Sequence, residues 1–342
     1  MASLVLVDFK KAFDYVRHDV AITELLRMGC RASIVPFIVS FLTDRQHRVR
    51  HQDATSSYAP ITCGVPQGIV AGPVIFISLV NGLCKLVEKR VKFVDDLTLA
   101  YITKFLTEIN FPIQVDLDRL SGECQDRGME PNPLKCEVLH TIPTRRRRPA
   151  EVPELTLDGI TILVVDTVKL LGVHLNDRLD WKTHVKNMLT KANKCIFVIH
   201  RAKKFNFSIK TILTLFQWYI RTPLEYAAPV WHPGLTKEQH HQLERIQKRC
   251  FRVILGQQYT TYAEALAQLN QQSLFDRRQM LTLRLGRSML RSQRHRDLLP
   301  PTGRQVHGRI TRHGGNLRPP ARRSARYEKT FVPYVVKLLN QN

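Results

Sequence analysis

The hydrophobic pattern opens with a short apolar run, SLVLVDF at 3–9, of strand length and closed by an acid. Apolar positions then recur at helical spacing over 19–28 with Gly29 as the stop, and a second apolar helix is expected over 33–42. The basic stretch RQHRVRH, 45–51, reads as a strand. CGVPQGIVAGPVIF is a turn bearing Gly and Pro that opens a long apolar helix, expected to run to about residue 87, and its glycines let backbone approach a neighbour closely. In VKFVDDLTLAY, 91–101, two β-forming runs flank an acidic pair, which predicts a hairpin with Asp95 and Asp96 at or beside its turn. A helix over about 114–127 ends at Gly128. PNPLKCEVLHT then reads as a proline-bounded loop entering a strand, and TVKLLGVHLND as a further strand pair.

From Trp181 the period becomes helical. Val185, Met188, Leu189, Ala192, Ile196 and Ile199 recur on one face, as do Leu243, Ile246, Cys250, Val253 and Ile254 ahead of Gly256. Arg245, Lys248, Arg249 and Arg252 form a basic face on the second of these helices, and Arg284, Arg287, Arg291 and Arg294 repeat the pattern later. A charged helix face is commonly just the solvated side. Arginines repeated without interleaved acids also suit a phosphate backbone. Residues 300–326, rich in Pro, Gly and Arg and free of acids, are expected to form a flexible strip that folds on a partner. The elements give an α+β fold with three parts: a sheet-bearing region at 1–180, a mainly α-helical region at 181–299, and a basic, mostly flexible tail at 300–342. RRRR at 145–148 reads as an exposed connection.

Composition sharpens the choice of partner. The chain has 342 residues, 44% of them apolar, enough to bury a sizeable core, and carries 52 Lys and Arg against 29 Asp and Glu, a net charge of +23. Residues 1–140 hold 16 bases and 16 acids, so the whole excess belongs to 141–342. That asymmetry argues for a polyanion, nucleic acid first, and against an acidic or small neutral partner. Seven cysteines without a C-x-x-C pair suit reduced thiols in the cytosol or nucleus. MASLVLVDF has no basic n-region. The uncharged stretch 54–84 is broken by Pro66, Gln67, Pro73 and Asn81, so neither a signal peptide nor a membrane span is expected.

If the strand ending at Asp8 neighbours the hairpin of Asp95 and Asp96, three carboxylates converge. Each pair about 4 Å apart then repels by roughly 4 kcal/mol at an effective dielectric of 20. Divalent metal relieves the repulsion, and two such ions support in-line phosphoryl transfer. Taken alone, the same residues read better as two unrelated acidic turns.

The blocks LVLVDFKKAFDYVRHD, CGVPQGIVAGPVIF, KFVDDLTLAY, PNPLKCEV and VKLLGVHLND, in this order and spacing, resemble the palm of a reverse transcriptase of the non-LTR, LINE-like retrotransposons. LDWKTHVKNMLTKANKCIFVI, PLEYAAPVWHPGL, LERIQKRCFRVILG and KTFVPYVVKLLN resemble the downstream region of jockey-like elements, so the likeness covers nearly the whole chain. The implied fold is a right-hand polymerase palm, an antiparallel sheet with helices, followed by a thumb-like helical region. The implied activity is RNA-directed DNA polymerisation, with two Mg²⁺ ions (Mn²⁺ as a substitute), an RNA template, a DNA primer and deoxynucleoside triphosphates.

Carried over by position, the metal-binding aspartates fall on Asp8 and Asp95 with Asp96 as the paired carboxylate, and the carbonyl of Phe9 is an extra ligand. Asp14 takes a structural or hydrogen-bonding role. Phe13 matches the aromatic that excludes a ribose 2′-hydroxyl, though a Phe there serves equally as core packing. Gln67 and Gly68 match residues lining the nascent base pair, and Leu171 with Gly172 the primer grip. Lys135 matches the lysine that protonates the departing pyrophosphate, against the plainer reading of a solvated loop lysine. Ile69 and Ala71 depart from the family's small polar residue and Leu, and Val94 stands where Ala is commoner, bringing a bulkier side chain toward the primer end. Fingers and endonuclease precede the palm in the family, whereas Met1 lies seven residues before Asp8. The chain is accordingly expected to be the back part of a longer polymerase, or an inactive relic that at most binds nucleic acid.

Overall fold

In Ala2–Val7 every second side chain is buried, Ser3, Val5 and Val7, as a half-covered strand requires. This strand is the middle of a five-stranded sheet in the order Leu163–Val164, Glu137–Thr141, Ala2–Val7, Asp96–Ile102, Arg90–Phe93. Its pairings are antiparallel apart from the short parallel edge made by Leu163–Val164. The computed structural model describes residues 2–66, 68, 70–83, 90–102, 110–141, 154–308, 314–321 and 324–341.

The chain divides into two compact units, 1–170 with 176–179, and 171–175 with 180–342. In the first, Ile113, Leu117, Leu120 and Cys124 recur along Asn110–Arg127 at a helical period and are fully buried in the core that also takes Val5, Val7, Leu97 and Leu99 of the sheet. His18–Arg27 and Ala71–Asn81 feed the same core through Ala21, Ile75, Phe76 and Leu79. Three expected elements differ in extent. The apolar helix spans Ala71–Asn81, Gly82 after it still has helical backbone angles, and 84–89, through which the helix is expected to run, lie outside the described residues. The helix expected from 114 begins four residues earlier, at Asn110. The basic stretch 45–51 is two short strands, Arg45–His47 and Arg50–His51, each paired with its own partner. RRRR at 145–148 lies outside the described residues.

The second unit is built on Lys182–Lys204 and Lys237–Leu255. The first buries Val185, Met188, Ala192, Ile196, Ile199 and Ala202. The second starts at a capping box of Thr236 and Gln239 and buries Leu243, Ile246, Cys250 and Ile254. At the heart of the unit Arg278 is fully buried, its guanidinium 5.7 Å from the Trp231 ring and its Nε 3.4 Å from His232 Nδ1. Within the tail expected to be flexible, Leu317 is buried with Met289, Leu299, Val335 and Val336, and its amide and carbonyl bond the Asn340 side chain. Among the described residues no helix is long and apolar enough to cross a membrane.

Candidate active site

Asp8, Asp95 and Asp96 come together at one end of the sheet. Val7 pairs with Leu97, and the same register carried on one residue sets Asp8 opposite Asp96. Phe93 pairs with Asp96 across a two-residue turn of Val94 and Asp95. Val94 holds φ +56°, rare for a β-branched residue, and its side chain packs against the core of the unit. Asp8 is half-buried, and Asp95 and Asp96 are exposed. Partial burial and the charges of Asp95 and Asp8 raise the Asp96 carboxyl above the usual carboxylate range, so the three acids feel one another. Among the described residues no group of three or more His, Cys, Asp and Glu side chains is close enough to hold a metal ion as the side chains stand.

A loop holds Asp8 from behind. The Asn132 amide donates to the Asp8 carbonyl at 2.8 Å, the Lys10 amide donates to the Glu130 carbonyl at 2.8 Å, and Phe9 bridges Pro131 between them. Neither bond uses the carbonyl of Phe9, whose side chain is buried. The Asn132 side chain donates to Asp8 Oδ2 at 3.5 Å, and Lys135 Nζ lies 4.0 Å from the same oxygen. Cys136 is buried beneath, its Sγ 3.5 Å from the Asp8 amide, and burial pushes its thiol up to about 11. PNPLKC was legible as a loop carrying one lysine. That Asn132 and Cys136 grip Asp8 needs the pairing of segments more than 120 residues apart, which spacing does not reveal.

The GVPQG turn is fastened to the same strand end. Gly64 has φ +84°, and a Cβ there would stand 2.7 Å from the Asp14 carbonyl oxygen, so backbone meets backbone where only glycine fits. The Val65 amide bonds the Phe13 carbonyl at 2.9 Å, and Arg45 and His18 both donate to or contact the Gly64 carbonyl, at 2.6 and 2.9 Å. Phe13 stacks on Phe76 with centroids 4.5 Å apart. The Asp14 backbone carbonyl also accepts from the Cys63 thiol. Gly68 is exposed in the turn; Gln67 and Ile69 lie outside the described residues. In the second unit Leu171 and Gly172 form a left-handed corner, and Tyr226 Oη donates to the Leu171 carbonyl at 2.8 Å.

The two basic stripes, alike in sequence, are disposed differently. Arg245 pairs with Glu238 at 2.9 Å, Lys248 sits 4.9 Å from the Tyr262 ring, Arg249 donates to Asn193, and Arg252 lies over Tyr259. Arg284, Arg287 and Arg291 are exposed on Leu274–Arg291, where none makes an ion pair among the described residues. Arg294 is not on that face. Ser292 turns extended and ends the helix, so Arg294 belongs to the next one, Gln293–Arg296.

Residues 2–175, the sheet and its clamping loops, match the family description "Reverse transcriptase (RNA-dependent DNA polymerase)". The chain belongs to the reverse transcriptase family, and its relatives place it among those of the non-LTR retrotransposons. It is 24% identical over 273 residues to a protein described as a probable RNA-directed DNA polymerase from transposon BS of Drosophila melanogaster. It is also 24% identical over 264 residues to the RNA-directed DNA polymerase from mobile element jockey of the same organism. In each case the likeness covers 73% of this chain but only 28% of the relative, so the chain spans under a third of the length of these proteins. Among solved structures it is similar to telomerase from Candida albicans in complex with a TWJ fragment of telomeric RNA, with 13% identity, 80% of this chain and 50% of the other covered, and a TM-score of 0.41.

Proposed function

We propose that this chain is the palm and following helical region of an RNA-directed DNA polymerase that extends a DNA primer on an RNA template with deoxynucleoside triphosphates. The observation that carries the proposal is the meeting of Asp8, Asp95 and Asp96 at one end of the sheet. An all-oxygen donor set, open to solvent and with mutually repelling members, suits a hard divalent cation. Asp8, Asp95 and Asp96, with the Phe9 carbonyl, would hold Mg²⁺ ions, which supply activation of the primer 3′-oxygen and neutralisation of charge on the departing pyrophosphate.

The remaining work falls to the chain itself. Asn132 fixes the Asp8 carboxylate and backbone. Lys135, on the same loop, exposed and 4.0 Å from Asp8 Oδ2, would give a proton to pyrophosphate as its charge develops. Phe13, locked against Phe76, is a rigid wall for the sugar and disfavours a 2′-hydroxyl. Gly68, exposed in its turn, and Gln67 would line the nascent base pair.

Primer extension on an RNA template tests the proposal. A magnesium-dependent product is expected, reduced at least about a hundredfold by Asp95→Asn. An equal product from both proteins overturns it. One observation favours a second reading, nucleic-acid binding without turnover: the three carboxylates are not drawn into a ready metal cluster. It predicts retained binding and no extension from either protein.

A further inference from the structure

We infer that the outer face of Leu274–Arg291 is a binding site for the phosphate backbone of a single-stranded polynucleotide. It lies outside residues 2–175 that define the family, and it stands whether or not the sheet end is catalytic. Among the described residues the helix is covered on one side only. Gly286 packs so tightly on the C-terminal helix Phe331–Gln341 that a Cβ would come within 2.4 Å of Val335, and Arg278, Thr282 and Met289 are buried on the same side. At 100° per residue, Met280, Arg284, Arg287 and Arg291 fall on the opposite side. There, with Leu283 and Ser288, they line a groove of about 470 Å³.

Three features distinguish this groove from an ordinary solvated face. Between Asp276 and Asp297 the sequence carries no acid, and Arg284, Arg287 and Arg291 gather on this one face. A face serving solubility mixes its signs. The comparison within the same unit is sharper: Arg245 pairs with Glu238, Lys248 and Arg252 lie over Tyr262 and Tyr259 and Arg249 donates to Asn193, whereas Arg284, Arg287 and Arg291 make no ion pair, side-chain hydrogen bond or ring contact among the described residues. Finally, the groove has an apolar floor. Guanidinium groups beside Met280 and Leu283 offer charge to phosphates and flat, weakly hydrated surface to bases, and only an unpaired strand exposes its base faces to such a floor.

The test uses the full chain in EDTA without nucleotides, so that polymerase chemistry is not read. Affinity for a fluorescent 20-nucleotide RNA, and separately for DNA of the same length as a single strand and as a duplex, is followed by anisotropy from 50 to 200 mM salt. Removing Arg284, Arg287 and Arg291 together (each Arg→Gln) is expected to reduce the salt slope by about 2, at roughly 0.7 per phosphate contact, so that the wild-type chain loses about twentyfold more affinity than the variant across that range. The matched triple, Arg245→Gln, Arg249→Gln and Arg252→Gln, removes the same charge and is expected to change the slope by less than one contact. Equal effects from the two triples, an effect from the second alone, or none from either would overturn the site. Duplex bound as tightly as the single strands overturns the single-strand assignment, and RNA against DNA tells which strand is preferred. Far-UV circular dichroism of both triples confirms that the exposed substitutions leave the helices intact.

Discussion

At the residue scale, Asp8 sits between two neighbours that act on it in opposite senses. Asn132 donates to its Oδ2 and ties its backbone, fixing a carboxylate in place; Lys135 brings a positive charge to 4.0 Å from the same oxygen. Asn132→Ala is therefore expected to weaken Mn²⁺ binding about tenfold, the usual penalty for losing the group that orients a metal ligand. Lys135→Ala removes a competing cation and is expected to strengthen Mn²⁺ binding about twofold, small because the ammonium is well exposed. Electron paramagnetic resonance titration reads both, and changes of the same sign would contradict the arrangement. The acids themselves were legible in the sequence, one at the end of an apolar strand and two inside an apolar hairpin. The neighbours were not. Asn132 acts through a pairing across 124 positions, and nothing in PNPLKC marks its target.

At the element scale, the site depends on loops pressed against a strand end. From the residues alone the acids converge only if the strand ending at Asp8 neighbours the hairpin, and the pairings Val7↔Leu97 and Phe93↔Asp96 meet that condition. The sequence also marked the glycines of CGVPQG as points of close approach; Gly64 against Asp14 is such a point, while Gly68 has open space around it. Gly64→Ala forces a Cβ to 2.7 Å from a carbonyl oxygen at positive φ, so a loss of about 1–3 kcal/mol is expected. Urea unfolding of the pair measures it, and an unchanged midpoint would show that the turn is not anchored there. Helix ends were read less well. The helix expected from 114 begins at Asn110, ahead of its clearest apolar repeat at Ile113, Leu117, Leu120 and Cys124. The two arginine stripes looked equivalent because periodicity records which residues share a face and not which partners meet them.

At the scale of the whole molecule, the charge asymmetry follows the two units: the neutral part of the chain holds the carboxylates, and the basic excess lies beyond residue 140. The basic unit also contains two buried imidazoles, His184 and His232, and a half-buried one, His240, that composition did not disclose. Burial pushes His184 down to about 4, with His174 and Lys191 adding to it, and His232 and His240 down to about 3 and about 4, with Arg278 as the next cause. Above pH 6.5 these groups are neutral in folded and unfolded chains alike, so they impose no penalty. As pH falls below 6.5 the unfolded chain takes up protons that the folded one refuses, and stability is lost until the folded values near 3–4 are reached. The slope is at most about 1.4 kcal/mol per pH unit for each histidine, or up to about 4 kcal/mol for the three at pH 5.5. Thermal unfolding followed by the near-ultraviolet signal of Trp181, Trp218 and Trp231, all in this unit, should show a midpoint falling steeply from pH 6.5 to 4.5. A flat midpoint across that range would mean that the imidazoles are hydrated.

The central claim is that Asp8, Asp95 and Asp96 act together as a metal-binding set, and a Mn²⁺ titration of the full chain by electron paramagnetic resonance tests it without requiring turnover. The wild-type protein is expected to bind Mn²⁺, and Asp8→Asn, Asp95→Asn and Asp96→Asn are each expected to weaken binding by at least about tenfold. Mn²⁺ binding that is indifferent to all three substitutions would contradict it.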